Sequence, residues 1–374
     1  MVWCVISPHA VHEDPRPARQ EALAHLLGAE GLDALLVTSL PNIRYLTGFS
    51  GSAALVVVTP GRVLLVTDFR YEEQAQAEID GAARVVVERT SAWDRLFREI
   101  GSLGPLGTIG FEAHVVSAKD AERIATVGRT WHWRAAPELV ERLRVRKSLA
   151  EVAAVRAAAT LAGEALRATL AAVRAGQTER EIAGILEGHL RRLGSEAHPF
   201  PTIVASGSRT AWPHARTSPK AVARGDWLLL DFGAQVDGYC ADITRTVVVG
   251  ARATDAQRVL YDLVYAAQRA ARERIRAGMP AREADALARD LIEARGFGDA
   301  FGHSLGHGLG LEVHEAPRLA RTSAEPLPVD AVVTIEPGIY LAGEGGVRLE
   351  DDVHLSAEGP VLLSDGVTEL VELL

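Results

Sequence analysis

The chain is poor in cysteine, with only Cys4 and Cys240 among 374 residues. Two cysteines cannot build the disulfide framework on which many small secreted domains depend. The first 17 residues, MVWCVISPHAVHEDPRP, also lack the basic segment and the long apolar run of a signal peptide. We therefore expect a reducing, cytoplasmic location.

Long apolar runs and an excess of positive charge are absent as well. No uninterrupted apolar stretch approaches the roughly 20 residues that a membrane-spanning helix needs. The formal net charge of −9 argues against nucleic-acid binding, which requires a basic face. With 48% hydrophobic and 24% charged residues the composition is that of a globular protein, and 374 residues are enough for two domains.

Two differently patterned regions follow one another along the chain. From Arg16 to about Glu138, short apolar strands alternate with helical patterns, which predicts an α/β domain. Beyond Glu138 the sequence is first charged and then becomes a long alanine-rich helical stretch. We therefore predict an N-terminal domain over residues 1–140 and a second, functional domain over residues 141–374.

The second region contains an internal repeat. RAGQTEREIAGILEGHL and RAGMPAREADALARDLI align without a gap, and each predicts a turn followed by an amphipathic helix. Downstream of each copy lies an apolar strand that ends in an acid, DWLLLD and AVVTIE. This order predicts an α+β domain of two halves related by a pseudo-twofold axis, with a shared cleft.

Four acids occupy matching places in these two halves. Asp237-Gly238 is a hairpin signal, and folding there brings Asp231 and Asp242 to cross-strand or diagonal positions. A second hairpin brings Glu336 near Glu350. Unpaired buried carboxylates repel each other and are costly, whereas carboxylate oxygens are good ligands of divalent cations, which pair about 3.5–4 Å apart in dinuclear sites. The sequence therefore indicates a metal site, although any one of these acids alone fits a surface or salt-bridged role.

Histidines add to this set. FGHSLGHGLGLEVHE, residues 301–315, carries His303, His307 and His314 among glycines that let the backbone pass close to a site. The stretch has neither the spacing of a dinucleotide-binding loop nor a HExxH zinc motif. His214 lies in a polar loop just before the first acidic strand, where a solvent-exposed role and a catalytic role are both open.

At these residues the chain resembles the creatinase/aminopeptidase family with the pita-bread fold, and within it the Xaa-Pro peptidases: prolidases and aminopeptidases P. LLLDFGAQVDGYCADITRT, HSLGHGLGLEVHE, VVTIEPGIY and GGVRLEDD match in order and spacing, and PNIRYLTGFSGS is similar to the N-terminal domain of that branch. The resemblance implies an α/β N-terminal domain followed by a pita-bread domain that carries a dinuclear metal site.

The same resemblance implies the roles of single residues. Asp231 would chelate one ion and His307 the other, Asp242 and Glu350 would bridge them, and Glu336 would bind the ion held by His307. In such enzymes a bridging water becomes hydroxide and attacks the scissile carbonyl, and the acid matching Glu336 transfers its proton to the leaving nitrogen. The resemblance further assigns intermediate stabilisation to His214 and His314, the proline-side pocket to His303, and a place near the substrate carboxylate to Arg348.

The expected function is hydrolysis of Xaa-Pro bonds in small proline-containing peptides, with two divalent ions (Mn²⁺, Co²⁺ or Zn²⁺) as cofactors. A dipeptidase is favoured over an aminopeptidase P that accepts longer peptides. Methionine aminopeptidase, metal-free creatinase-like hydrolysis and a non-catalytic peptide-binding module of this fold are the remaining alternatives. The resemblance also implies a homodimer.

Overall fold

The structure is a computed structural model that describes residues 14–366 and 369–374. Residues 1–13, which include Cys4, lie outside the described part of the chain. Internal contacts divide the chain into two compact units, with the division after Arg144. The sequence placed it after residue 140.

The first unit is built on one six-stranded sheet with the strand order β4-β3-β2-β1-β5-β6. Pairs β1–β5, β5–β6 and β3–β4 are parallel, and β1–β2 and β2–β3 are antiparallel. Its strands are β1 (Ala34–Val37), β2 (Ala54–Thr59), β3 (Arg62–Asp68), β4 (Arg84–Glu88), β5 (Thr108–Glu112) and β6 (His132–Ala136). Its α-helices are α1 (Arg16–Ala29), α2 (Leu40–Thr47), α3 (Glu72–Ile79), α4 (Ala92–Glu99), α5 (Ala118–Thr126) and α6 (Leu139–Arg144).

The sequence explains this unit well. The apolar run around Pro60-Gly61 forms a hairpin, in which Thr59 pairs with Arg62. Gly61 has a φ of 81°, a conformation that favours glycine. Strands β1, β2 and β3 are apolar and buried along most of their length, which is typical of α/β domains whose sheet is covered by helices.

The second unit contains four long helices and two main sheets. The helices are α7 (Leu149–Ala172), α8 (Glu179–Leu193), α9 (Asp255–Arg274) and α10 (Ala281–Glu293). One sheet has the order β19-β11-β8-β7, formed by β7 (Ile203–Ser206), β8 (Trp227–Phe232), β11 (Ile243–Val249) and β19 (Glu372–Leu373). The other has the order β13-β12-β14-β17-β18, formed by β12 (Gly306–Gly308), β13 (Glu315–Leu319), β14 (Val332–Ile335), β17 (Asp351–Ser356) and β18 (Gly359–Leu362).

Two short hairpins extend the main sheets. They are formed by β9 (Gln235–Val236) with β10 (Tyr239–Cys240), and by β15 (Gly338–Leu341) with β16 (Gly345–Arg348). Among the described residues, no helix has both the length and the apolar character needed to cross a membrane.

The internal repeat reappears as equivalent backbone hydrogen bonds. Gly176 N–H donates to the carbonyl of Val222 at 2.8 Å, and Gly278 N–H donates to the carbonyl of Leu327 at 2.7 Å. Each bond joins the turn that precedes a helix, α8 or α10, to the segment that leads into an acidic strand. The two halves predicted from the sequence therefore share local geometry as well as an order of elements.

Candidate metal centre

The first pair of acids lies at the end of a regular hairpin. Strands β8 and β11 are antiparallel, and Asp231 pairs with Thr244, which puts Asp242 at the diagonal position on the same face. The turn at Asp237-Gly238, with φ angles of 50° and 78°, is the tight left-handed turn that the sequence predicts. Asp231 and Asp242 are both buried.

The second pair lies where two strands change partners. Ile335 pairs with Asp351 in the β14–β17 ladder, and Gly338 pairs with Arg348 in the β15–β16 hairpin. Glu336 and Glu350 occupy the short gaps between these two ladders. The sequence predicted this proximity.

Thr244 links the two hairpins. Its carbonyl accepts the backbone N–H of Glu350 at 3.1 Å, and its hydroxyl donates to Glu350 Oε2 at 2.6 Å. The same hydroxyl accepts from Arg348 Nε at 3.1 Å. These bonds join strands that are more than a hundred residues apart and fix the Glu350 carboxylate beside the first pair of acids.

Electrostatic strain in the acid cluster is severe without cations. Burial raises the pKa of Asp242 well above its usual range, and the nearby charges of Glu350 and Asp231 raise it further. Burial and the charge of Glu350 likewise raise the pKa of Glu336. For Glu350, burial and Asp231 raise the pKa to about 8. The cluster is therefore built for positive partners that the protein itself does not fully supply.

His307 is arranged as a neutral ligand. Its Nδ1 lies 3.0 Å from the carbonyl of Gly308, so Nδ1 carries the proton and Nε2 presents a lone pair. Nε2 lies 3.5 Å from Glu336 Oε1 and 3.8 Å from Asp242 Oδ2. Burial lowers the pKa of His307 to about 4, which keeps the ring neutral at physiological pH.

These residues fit divalent cations. One ligand atom each from Asp242, His307 and Glu350 lie within 4.8 Å of one another. Asp242 Oδ1 is buried and has no hydrogen-bond partner in the described part of the chain. A buried carboxylate oxygen without a donor is expensive unless it binds a cation. The donor set, four carboxylates and one imidazole, suits ions such as Mn²⁺, Co²⁺ and Zn²⁺.

His303 and Arg348 lie beside the cluster in one hydrogen-bond chain. His303 Nδ1 donates to the carbonyl of Ser304 at 2.8 Å, so Nε2 accepts from the Tyr340 hydroxyl at 2.8 Å. The Tyr340 oxygen in turn accepts from Arg348 Nη1 at 2.9 Å. Arg348 Nη2 donates to Asp231 Oδ2 at 2.5 Å. Buried Arg348 is thus already engaged with protein groups.

All of the sequence-predicted site residues line one cavity of about 930 Å³. His214 and His314 are exposed at its surface, and the rings of His314 and His307 are in edge contact at 4.4 Å between centroids. The other members are Asp231, Asp242, His303, His307, Glu336, Arg348 and Glu350.

Two arginines that line the cavity and one ion pair beside it were not predicted from the sequence. Exposed Arg216 and Arg318 line the cavity, and neither guanidinium has a partner among the residues that the structure describes. Buried Lys147 pairs with Glu315, next to His314, at 3.0 Å. Arg216 stands alone in a polar loop and Arg318 in a short strand, β13, so neither belongs to a periodic pattern. Lys147 could have been suspected only as one of three lysines in an arginine-rich chain.

Comparison with known proteins agrees with this geometry. Residues 153–357 match the model of metallopeptidase family M24, and residues 19–146 match that of the creatinase/prolidase N-terminal domain. The chain is 34% identical to an Xaa-Pro dipeptidase of Pyrococcus furiosus over 88% of this chain and 93% of that protein.

Solved structures give the same result. An Xaa-Pro dipeptidase from Bacillus anthracis superposes with a TM-score of 0.90 at 38% identity, covering 96% of this chain and 99% of its own. An X-Pro aminopeptidase from Thermotoga maritima gives 0.87 at 37% identity, with coverages of 94% and 99%. The expected architecture, a creatinase-type α/β domain followed by a pita-bread domain, is confirmed. The chain belongs to metallopeptidase family M24.

Proposed function

We propose that the protein is a metal-dependent peptidase that hydrolyses Xaa-Pro bonds, with dipeptides as its preferred substrates. The observation that carries the proposal is the cluster of mutually repelling carboxylates and one neutral imidazole at the wall of a cavity large enough for a small peptide. Relatives named as Xaa-Pro dipeptidases support the same reading.

We assign the ligands as the family resemblance implies. Asp231 would chelate one ion, His307 and Glu336 the other, and Asp242 and Glu350 would bridge the two. The unpartnered Oδ1 of Asp242 supports a bridging role, because both of its oxygens then have cations to bind. When bound, divalent ions polarise a carbonyl and lower the pKa of water.

Glu336 is proposed as the proton carrier. Its Oε1 lies 3.5 Å from His307 Nε2, so the carboxylate is at the acid cluster, where it can accept a proton and return it. A proline nitrogen in a peptide bond carries no hydrogen and must gain a proton to leave as an amine. Glu336 would take this proton from the attacking water and deliver it to that nitrogen.

The two exposed histidines would act on the other side of the reacting carbonyl. A protonated or neutral imidazole N–H of His214 or His314 donates a hydrogen bond to the oxygen on which negative charge develops. Lys147, through its ion pair with Glu315, holds the backbone next to His314. We assign both histidines to stabilisation of the tetrahedral intermediate.

The proline would lie against His303. This ring is in edge contact with Phe301 at 5.1 Å and in tilted contact with Tyr340 at 5.5 Å between centroids, so it forms one side of a rigid aromatic cluster. Arg318 is free to bind the terminal carboxylate that follows proline in a dipeptide, whereas Arg348 is engaged with Asp231 and Tyr340. We therefore assign Arg348 to positioning Asp231 and give carboxylate binding to Arg318.

The second candidate is an aminopeptidase P that accepts longer peptides, which the Thermotoga neighbour favours. Rates on Ala-Pro and Ala-Pro-Gly-Gly with manganese-loaded protein separate the two. The dipeptide should be cleaved at least roughly tenfold faster, because only it offers a carboxylate at the position of Arg318. Faster cleavage of the tetrapeptide would replace the first candidate by the second.

Loss of all hydrolysis after chelation, and recovery with Mn²⁺, Co²⁺ or Zn²⁺, tests the metal requirement. We further propose that the native metal is Mn²⁺, Co²⁺ or Zn²⁺, on the basis of the donor set. The scarcity of cysteine supports a cytoplasmic location. The family resemblance supports a homodimer. Metal analysis of purified protein and its mass in solution test the first and the third of these proposals.

A further inference from the structure

We propose that Arg216 gives this protein a preference for peptides whose residue before proline is acidic, Asp or Glu. The inference rests on the proposed function and deepens it, because it specifies the chemistry of the other substrate residue. It follows from where Arg216 lies in the cavity, from how its backbone is held, and from the charge that it leaves uncompensated.

The backbone around Arg216 is fixed. Ala215 is buried, and its N–H donates to the carbonyl of Trp212 at 3.0 Å. The hydroxyl of Thr217 donates to the carbonyl of Thr202 at 2.8 Å and accepts from the N–H of Val204 at 3.0 Å. The segment is therefore hydrogen-bonded to strand β7 at Thr217, after Arg216, and buried at Ala215, before it.

A buried carboxylate organises the rest of this loop. Glu179 is fully buried at the start of α8, where it accepts from the backbone N–H groups of Ser206 and Ser218 at 2.8 and 3.0 Å. It also accepts from Arg209 Nε, and Arg209 Nη2 donates to the carbonyl of Arg216 at 2.5 Å. The peptide group of Arg216 is thus held, while its guanidinium stays exposed and without a partner in the described chain.

The position along the cavity identifies the substrate residue that Arg216 would meet. Ile203 of β7 pairs with Asp231, so the β7 side of the cavity adjoins the first pair of acids. His303 lies at the second pair of acids, with its Nδ1 4.0 Å from Glu336 Oε2. With proline against His303 and the scissile bond at the acid cluster, the preceding residue faces the β7 side. The lining there consists of Phe200, Pro201, Thr202, Ile203, Arg216 and Thr217.

Charge at this end of the cavity is unbalanced. The lining carboxylates are the four proposed metal ligands and Glu315, which Lys147 neutralises. None of them is paired with the Arg216 guanidinium. A guanidinium binds a carboxylate through two parallel charge-assisted hydrogen bonds, which are stronger than neutral ones. A substrate Asp or Glu side chain supplies that partner, whereas a Lys side chain meets repulsion.

The test compares two dipeptides that differ only in side-chain charge, Asp-Pro and Asn-Pro, with Lys-Pro as a third. For metal-loaded wild-type protein we expect kcat/KM to follow the order Asp-Pro, Asn-Pro, Lys-Pro. Arg216→Met retains the length and apolar stem of the side chain without its charge. It should lower the Asp-Pro to Asn-Pro ratio roughly tenfold, the effect of one exposed charge-assisted interaction. Arg216→Glu should move the preference to Lys-Pro.

The control is Arg224→Ala, which removes an exposed arginine that does not line the cavity and should keep the wild-type ratio. If the protein hydrolyses these peptides but Arg216→Met changes the Asp-Pro to Asn-Pro ratio of kcat/KM less than twofold, the acidic preference is overturned. The proposed function stands in that case. Equal losses on Asp-Pro and Asn-Pro also overturn the acidic preference, because they mean that Arg216 binds a group common to both peptides. If metal-loaded wild-type protein cleaves no Xaa-Pro peptide, the proposed function itself fails, and the preference fails with it.

Discussion

Arg348 Nη2 donates to Asp231 Oδ2 at 2.5 Å, and both side chains are buried. No hydrogen bond reaches Asp231 Oδ1 from the described residues, so this oxygen is left for another ligand. The arginine thus fixes the orientation of the carboxylate and supplies one of the few positive charges beside the acid cluster.

Arg348→Met should remove this restraint while keeping the aliphatic volume. We expect kcat/KM on Ala-Pro to fall about 10- to 100-fold, the usual cost of losing the partner that orients a metal ligand. Arg348→Lys keeps the charge but not the forked geometry, so its kcat/KM should lie between those of the wild type and Arg348→Met. Wild-type kinetics in Arg348→Met would show that Asp231 needs no such support.

Asp242 gives a prediction in which stability and activity move in opposite directions. Asp242→Asn removes one charge from the repelling cluster, so the chelated protein should gain about 1–3 kcal/mol in free energy of unfolding. The same change removes the proposed bridging oxygen, and turnover should fall at least about 100-fold.

Chemical denaturation with and without manganese measures both effects for Asp242→Asn. Wild-type protein should gain stability from the metal, and the variant should gain little. Asp365→Asn changes an exposed acid and serves as the control. Equal metal stabilisation of wild type and Asp242→Asn would remove Asp242 from the ligand set.

The sequence was sufficient for the acidic hairpins because their signals are local. Asp237-Gly238 fixes the turn, and the turn fixes the register that puts Asp231 and Asp242 on one face. The repeat likewise needed only short segments, since glycine with a positive φ recurs before each helix at Gly176 and Gly278.

The interactions that the sequence could not supply join distant segments. Thr244 and Glu350 are separated by 106 positions, and Arg348 and Asp231 by 117. Their contacts depend on how two separate sheets meet, which no local pattern encodes. Arg216 was missed for a related reason: it stands in a polar loop, and only the fold turns that loop towards the cavity.

The acid cluster also predicts a pH dependence of stability in the metal-free protein. In the folded chain Glu350 has a pKa raised to about 8, from an ordinary value of 4.5. The folded state therefore holds a proton that the unfolded state has lost in this window, and stability is highest below the unfolded pKa and falls as pH rises through the folded one. Asp242 and Glu336 shift in the same direction.

We expect the chelated protein to lose at least about 2 kcal/mol in free energy of unfolding between roughly pH 5 and pH 8. With saturating manganese the trend should reverse over the lower part of this range, because cations bind the deprotonated carboxylates. Urea denaturation across the pH series, on chelated and loaded samples, measures this. A chelated protein that grew more stable with rising pH would contradict the burial and repulsion inferred for the cluster.

A buried ion pair on α10 controls the segment that carries His303. Asp285 and Arg289 are joined by two hydrogen bonds of 2.5 and 2.8 Å, and both are buried. Arg289 donates to the carbonyls of Phe301 and His303 at 2.9 and 2.6 Å, and Asp285 accepts from the N–H of Leu305 at 3.0 Å. These side chains replace the backbone partners that an irregular segment lacks.

Arg289→Ala should therefore lower the free energy of unfolding by about 3–5 kcal/mol, since it leaves the Asp285 charge buried and unpaired. The double variant Asp285→Ala/Arg289→Ala should lose less than the sum of the two single changes, because it removes both charges together. In the milder Asp285→Asn variant, KM for Ala-Pro should rise more than kcat falls, as the proline-side wall loosens while the metal ligands stay in place. Additive losses of stability would show that the two charges do not act as a pair. A kcat effect without a KM effect would show that they do not act on His303.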